Sequence, residues 1–82
     1  MDESKSIISI KEYGIITIHL KDLLDARNMT RNYLAKASNT RFEVINKWCN
    51  NDVEKLDLDV LARICYVLNC SASDIIKYNA SK

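Results

Sequence analysis

The sequence predicts a mainly α-helical domain: five short helices preceded by a short N-terminal β-hairpin. Three observations lead there. Apolar residues recur at helical spacing through residues 20–79. With no proline and a single glycine, Gly14, asparagine takes over as punctuation and falls where each helical pattern runs out. The stretch 6–19, SIISIKEYGIITIH, is instead rich in isoleucine and reads as strands.

The hairpin is expected at about 6–11 and 15–19, turning through Glu12-Tyr13-Gly14. An isolated hairpin is barely stable and leaves sticky edges, so it should pack on the helices, pair with a second subunit, or do both. The first helix, 20–27, carries Leu20, Leu23 and Leu24 at the i, i+3, i+4 spacing. The second starts at an N-cap Thr30 and ends near residue 37 or 38. Leu34 and Ala37 form its apolar face, and the small Ala35 sits where another backbone must come close. The third runs from about 41 to 49, opened by a T-x-x-E capping box at Thr40 and Glu43, with Val44, Ile45 and Trp48 turned to the core. Asp57 caps a fourth helix whose stripe is Leu58, Leu61, Ile64, Cys65 and Leu68. Ser71 with Asp74 repeats the capping-box spacing and opens a fifth helix over 72–78. Asn28, Asn39, Asn50 or Asn51, Asn69 and Asn79 mark the ends, since asparagine tolerates the left-handed conformation that a helix C-terminus asks for.

Eighty-two residues, 48% hydrophobic and 28% charged, fit one soluble domain. No apolar run nears the roughly 18 residues that suggest a membrane span, and the polar MDESKS start does not look like a secretion signal. A cytoplasmic protein is expected. Cys49, Cys65 and Cys70 form no C-x-x-C pair, and the one histidine, His19, is far from them in sequence. Three reduced thiols are expected, with no metal and no cofactor. No nucleophile stands beside a base, and no glycine loop could cradle a phosphate, so an enzyme is not expected.

Net charge is only +1, but it is unevenly spread. Over residues 27–50, Arg27, Arg31, Lys36, Arg41 and Lys47 face Glu43 alone, a local charge of +4. Residues 1–26 and 51–63 each sum to −2. The positive charge therefore falls on the second and third helices. Binding to nucleic-acid phosphates requires such local charge, because each neutralised phosphate releases counterions.

The stretch TRNYLAKASNTRFEVINKW, 30–48, resembles the lambda-repressor/Cro-like helix-turn-helix family, in particular its small single-domain members. Thr30, Leu34 and Ala35 match the family's opening Thr and its Leu-Ala pair. Asn39 stands at the turn, Val44, Ile45 and Trp48 at the apolar positions of the recognition helix, and Asn50-Asn51 at the turn after it. The later LDLDVLARICYVLNCSASDII resembles the family's closing pair of helices. Thr40, Arg41 and Tyr33 depart from the pattern, and the capping box at Thr40 suggests that the cap has moved one residue earlier.

The resemblance implies a five-helix lambda-repressor-like DNA-binding domain over 20–79. Residues 1–19 would be an N-terminal segment whose isoleucine-rich hairpin is the candidate dimerisation element, with the first helix and the end of the fifth as alternatives. The third helix would enter the major groove, with Arg41, Phe42, Glu43, Asn46 and Lys47 at base edges. Arg and Lys suit guanine, Asn46 suits adenine, and Phe42 suits a thymine methyl group. Glu43 either accepts from cytosine N4 or completes its capping box. Thr30 and Arg31, with Lys36 and Lys55, would meet phosphates. The implied function is a sequence-specific transcriptional regulator, a repressor, binding double-stranded DNA as a homodimer. The alternative is a protein-interaction module, such as an antitoxin or anti-repressor, that keeps the fold and uses Phe42 and Tyr33 as anchors.

Overall fold

A computed structural model describes residues 12–81 of the chain. Strand β1 (Ile15–Ile18) leads into helices α1 (Leu20–Ala26), α2 (Arg31–Ala37), α3 (Phe42–Cys49) and α4 (Leu58–Leu68). A 3-10 turn (Ala72–Asp74) then precedes strand β2 (Ile76–Asn79).

The four α-helices end in the same way. Asn28, Asn39, Asn51 and Asn69 adopt positive φ of 53°, 51°, 57° and 51°. Around each, two backbone N–H groups turn back onto the final carbonyls. After α2, Asn39 N–H donates to Lys36 O at 3.2 Å and Thr40 N–H to Ala35 O at 2.9 Å. After α3, Asn51 N–H donates to Trp48 O at 3.1 Å and Asp52 N–H to Lys47 O at 2.9 Å. The corresponding bonds recur after α1 at Asn28 and Met29, and after α4 at Asn69 and Cys70. This is the Schellman arrangement, and asparagine supplies its left-handed residue at every helix end. Of the asparagines predicted to end helices, Asn79 is the exception, since it lies in β2.

Helix starts are less uniform. Thr30 caps α2 by accepting from Tyr33 N–H at 3.0 Å. Asp57 caps α4 by accepting from Asp59 N–H and Val60 N–H at 3.0 and 3.2 Å. The Ser71–Asp74 capping box forms and draws the Asp74 carboxyl below its ordinary range, through its hydrogen bonds with Ser71. The Thr40–Glu43 box does not form. Arg41 is the N-cap residue of α3, with no side-chain cap. Thr40 is still in the turn: its N–H closes the end of α2, and its hydroxyl donates to Ser38 O at 3.0 Å.

The core draws on every helix. Leu20 and Leu24 of α1, Leu34 and Ala35 of α2, Ile45, Trp48 and Cys49 of α3, and Val60, Leu61, Ile64 and Leu68 of α4 are buried with Ile75. Ser38, the buried polar residue among them, is satisfied by donating to Leu34 O at 2.6 Å. Two expected core positions lie outside. Ala37 is exposed, and Leu58, at the first turn of α4, is 71% exposed while Val60 turns inward.

The fifth helix expected over 72–78 is replaced by the 3-10 turn and β2. Beyond Asp74 the β-branched Ile75 and Ile76 and the aromatic Tyr78 suit a strand, and β1 supplies the partner. The strands run antiparallel, with Ile16 opposite Tyr78 and Ile18 opposite Ile76. The second arm of the expected hairpin is thus β1, after a turn at Glu12-Tyr13, whereas the first arm, 6–11, lies outside the described residues. Gly14 has φ +82°, and a Cβ there would lie 2.3 Å from Asn79 O, so the close approach of the two chain ends requires glycine. His19 N–H donates to Ile75 O at 2.6 Å, and Ile18 N–H donates to Asn51 Oδ1 at 2.8 Å, tying the sheet to the helices.

Two stability outcomes are expected. Trp48→Ala should cost about 3–5 kcal/mol in urea unfolding, the penalty for emptying a large buried site; an unchanged midpoint would mean that the ring is not seated in the core. Asn39→Ala should cost about 1–2 kcal/mol through left-handed strain, while Asn39→Gly should be near neutral. Equal losses in both would mean that the asparagine side chain matters more than its backbone.

Candidate nucleic-acid interface

The inner face of α3 is anchored by Ile45, Trp48 and Cys49, which leaves Phe42, Glu43 and Lys47 exposed and Asn46 half-buried along its outer side. Burial pushes the Cys49 thiol up, keeping it protonated and inert as a core group. Phe42, 41% exposed, stands at the first turn beside Arg41, which is also exposed. The positions expected to read bases therefore share one helix face, the one the core does not use.

Helix α2 packs against α3 and brings polar side chains of its own to the start of α3. Asn32, Lys36 and Asn39 meet Thr40, Arg41 and Phe42 around an open depression of about 520 Å³. Lys36 and Arg41 supply two cations there, and Asn32 supplies a carboxamide. Asn32 was not among the expected contacts. It stands four residues before Lys36, so helical spacing alone puts it on that face.

Arg31 opens α2 and is half-buried. Its Nη1 donates to Asn46 Oδ1 at 2.5 Å and to Asn50 Oδ1 at 3.2 Å, bridging the start of α2 to the last turn of α3. Asn50 was likewise not expected at the site. Thr30, before Arg31, is exposed, and its hydroxyl oxygen is occupied as the helix cap.

Lys47 and Lys55 lie apart from the α2 cations. They line a second depression, of about 230 Å³, together with Val44, Trp48 and the carboxylate residues Asp52, Glu54 and Asp57. The basic front is thus bounded by acidic residues on the side of the 50–57 loop.

Among the described residues the ion pairs are Lys21–Asp25 and Arg63–Asp59, and His19 Nδ1 stands 3.8 Å from the Asp22 carboxylate. None of them engages Arg31, Lys36, Arg41, Lys47 or Lys55. Cations without carboxylate partners can neutralise phosphates without first breaking an internal bridge. Arg63 also donates to Asn39 O at 2.9 Å, bracing the turn between α2 and α3 from behind. Cys65 and Cys70 are free thiols, as is Cys49, and among the described residues no cluster of three or more His, Cys, Asp or Glu could hold a metal ion. No described helix is long and apolar enough to cross a membrane.

Residues 19–81 match the family model of the Cro/C1-type helix-turn-helix DNA-binding domain. Among solved structures, a Bacteroides fragilis protein provisionally assigned as DNA-binding superposes with a TM-score of 0.67 at 24% identity, covering 77% of this chain and 100% of its own. At that identity the likeness is one of fold. The transcriptional regulator VanUg superposes with a TM-score of 0.65 at 28% identity, covering 90% of this chain and 99% of its own. No curated protein matches the sequence.

Proposed function

The chain belongs to the Cro/C1-type helix-turn-helix DNA-binding family, and on that premise we propose that it is a sequence-specific transcriptional regulator, a repressor that reads the major groove with α3. One observation carries this reading: Lys36 of α2 and Arg41, the N-cap residue of α3, line one open depression, and the cations of the helix pair have no carboxylate partners among the described residues. The similarity to the transcriptional regulator VanUg supports it.

In this reading Arg41, Phe42, Glu43, Asn46 and Lys47 meet base edges. With its capping box unformed, Glu43 is free to accept from cytosine N4. Thr30, Arg31, Lys36 and Lys55 meet phosphates, which set register and supply most of the salt-dependent affinity. The work is recognition, with no reaction catalysed, and its setting is the cytoplasm. A domain seated on a promoter blocks it by occupancy.

One recognition helix contacts too few base pairs for strong discrimination, so the active form is a homodimer on paired half-sites about one helical turn apart. The N-terminal segment, 1–19, is the dimerisation element we favour. Ile15 and Ile16, in the described part of this segment, are exposed, as is Tyr78 of the strand paired with it.

A second reading draws on a different observation. Tyr33 is 57% exposed, Phe42 is exposed nearby in sequence on α3, and Asp52, Glu54 and Asp57 flank Lys47. Mixed charge with aromatic anchors suits a protein partner, as in an antitoxin or anti-repressor.

Selection from a random duplex pool, followed by titration of the winner at several salt concentrations, separates the two. A palindromic site with steep salt dependence is expected for the regulator. Lys47→Ala should then lower discrimination at one base pair by about 1–3 kcal/mol. Uniform weakening on every sequence would make Lys47 a phosphate contact, and no enrichment at all would favour the protein partner.

A further inference from the structure

A carboxamide offers one acceptor oxygen and two N–H donors, whereas an arginine offers donors only. Beside a guanidinium, Asn46 must therefore turn its oxygen inward, because the opposite orientation would set donor against donor. That oxygen takes a charge-assisted hydrogen bond from Arg31 Nη1 at 2.5 Å. The same Nη1 donates to Asn50 Oδ1 at 3.2 Å, and Asn46 and Asn50 lie one helical turn apart on α3. Two acceptors at that spacing fix the plane of the guanidinium. The fixed guanidinium in turn fixes the Asn46 amide, leaving its Nδ2 hydrogens as the group free to face a ligand.

We infer that Arg31 is a positioning residue for base recognition, holding Asn46 as a hydrogen-bond donor that selects guanine. The inference rests on the DNA-binding reading above. It replaces the adenine pairing that residue type alone suggests. Adenine recognition by asparagine uses both halves of the amide, the oxygen accepting from N6 and the nitrogen donating to N7. With its oxygen turned to a cation that occupies one of its two lone pairs, Asn46 offers its donating half as the stronger contact. Guanine presents two acceptors, O6 and N7, to that donor. The other N–H groups of Arg31 remain available to a phosphate, so one side chain both anchors the backbone and sets the specificity of its neighbour.

Lysine separates these two roles. Arg31→Lys keeps the positive charge but is shorter and lacks the rigid guanidinium plane whose Nη1 bonds both carboxamides. The base pair read by Asn46 is identified as the one whose preference Asn46→Ala abolishes on the selected duplex. At that pair the wild type should favour guanine. Arg31→Lys should reduce the guanine preference there by about tenfold, within the range for a good base contact. The salt slope, and the preference at the other pairs, should be retained. Adenine as the preferred base, full retention of the preference in Arg31→Lys, or no affected pair in Asn46→Ala would each overturn the inference.

A measurement on the free protein keeps the two readings apart. In a two-dimensional 1H–15N spectrum the Asn46 side-chain amide signals should shift on Arg31→Lys while the core signals stay in place. If no duplex is ever enriched but these signals shift, the DNA-binding reading fails and the specificity inference falls with it, while the Arg31–Asn46 bond stands. If they do not shift, the positioning role is wrong whatever the protein binds.

Discussion

Between α2 and α3 the chain reverses through one left-handed residue, Asn39, and the placement of α3 depends on that reversal. Two hydrogen bonds, from Asn39 N–H and Thr40 N–H to the last carbonyls of α2, close the helix at a defined point. The carbonyl of Asn39 is held from behind by Arg63 of α4. The small, buried Ala35 lies in the last turns of α2 where the turn folds back on it. With the turn set, Ile45 and Trp48 can enter the core, and the opposite side of α3 is left to solvent. Burial and presentation are therefore two consequences of one backbone conformation. The same device ends α1, α3 and α4, so in a chain without proline each described α-helix stops at an asparagine.

The charge arrangement follows the same division. A net charge of +1 gives no bulk attraction to a polyanion. Concentrating cations on α2 and α3, and pairing the carboxylates of Asp25 and Asp59 elsewhere, leaves a local field on the presented face. Over a screening length of roughly 8 Å at physiological salt, a local field matters more than the total charge. The acidic 50–57 loop then limits the extent of that face. On the proposed reading, such a boundary would favour one docking orientation on DNA over sliding contact in many, because like charges meeting across an interface are costly.

Much of the architecture was legible because it depends on local properties. A left-handed asparagine, a Thr or Asp cap and an i, i+3, i+4 leucine pattern are each decided within one or two turns, and Asn28, Asn39, Asn69, Thr30 and Asp57 all took their expected roles. What was lost depended on distant partners. Residues 72–78 carry a genuine capping box and helix-compatible spacing, yet β1, near the other end of the chain, draws Ile76 and Tyr78 into a strand. Thr40 and Glu43 have the spacing of a capping box, but Thr40 was already committed to closing α2. At the site, the residue types pointed to the face of α3 that the core leaves free. They could not reveal that Arg31 reaches across to Asn46 and Asn50, since a side-chain bond between two helices leaves no periodic trace.

The central claim is that the front of α2 and α3 is the surface that meets DNA. The most direct test is an NMR titration of the whole chain with a short duplex carrying its selected site, following every backbone amide. The account predicts the largest shifts at residues 30–36 and 40–47, with small ones on the outer face of α4 around Ala62 and Tyr66. Shifts centred on α4, or spread evenly over the surface, would contradict it.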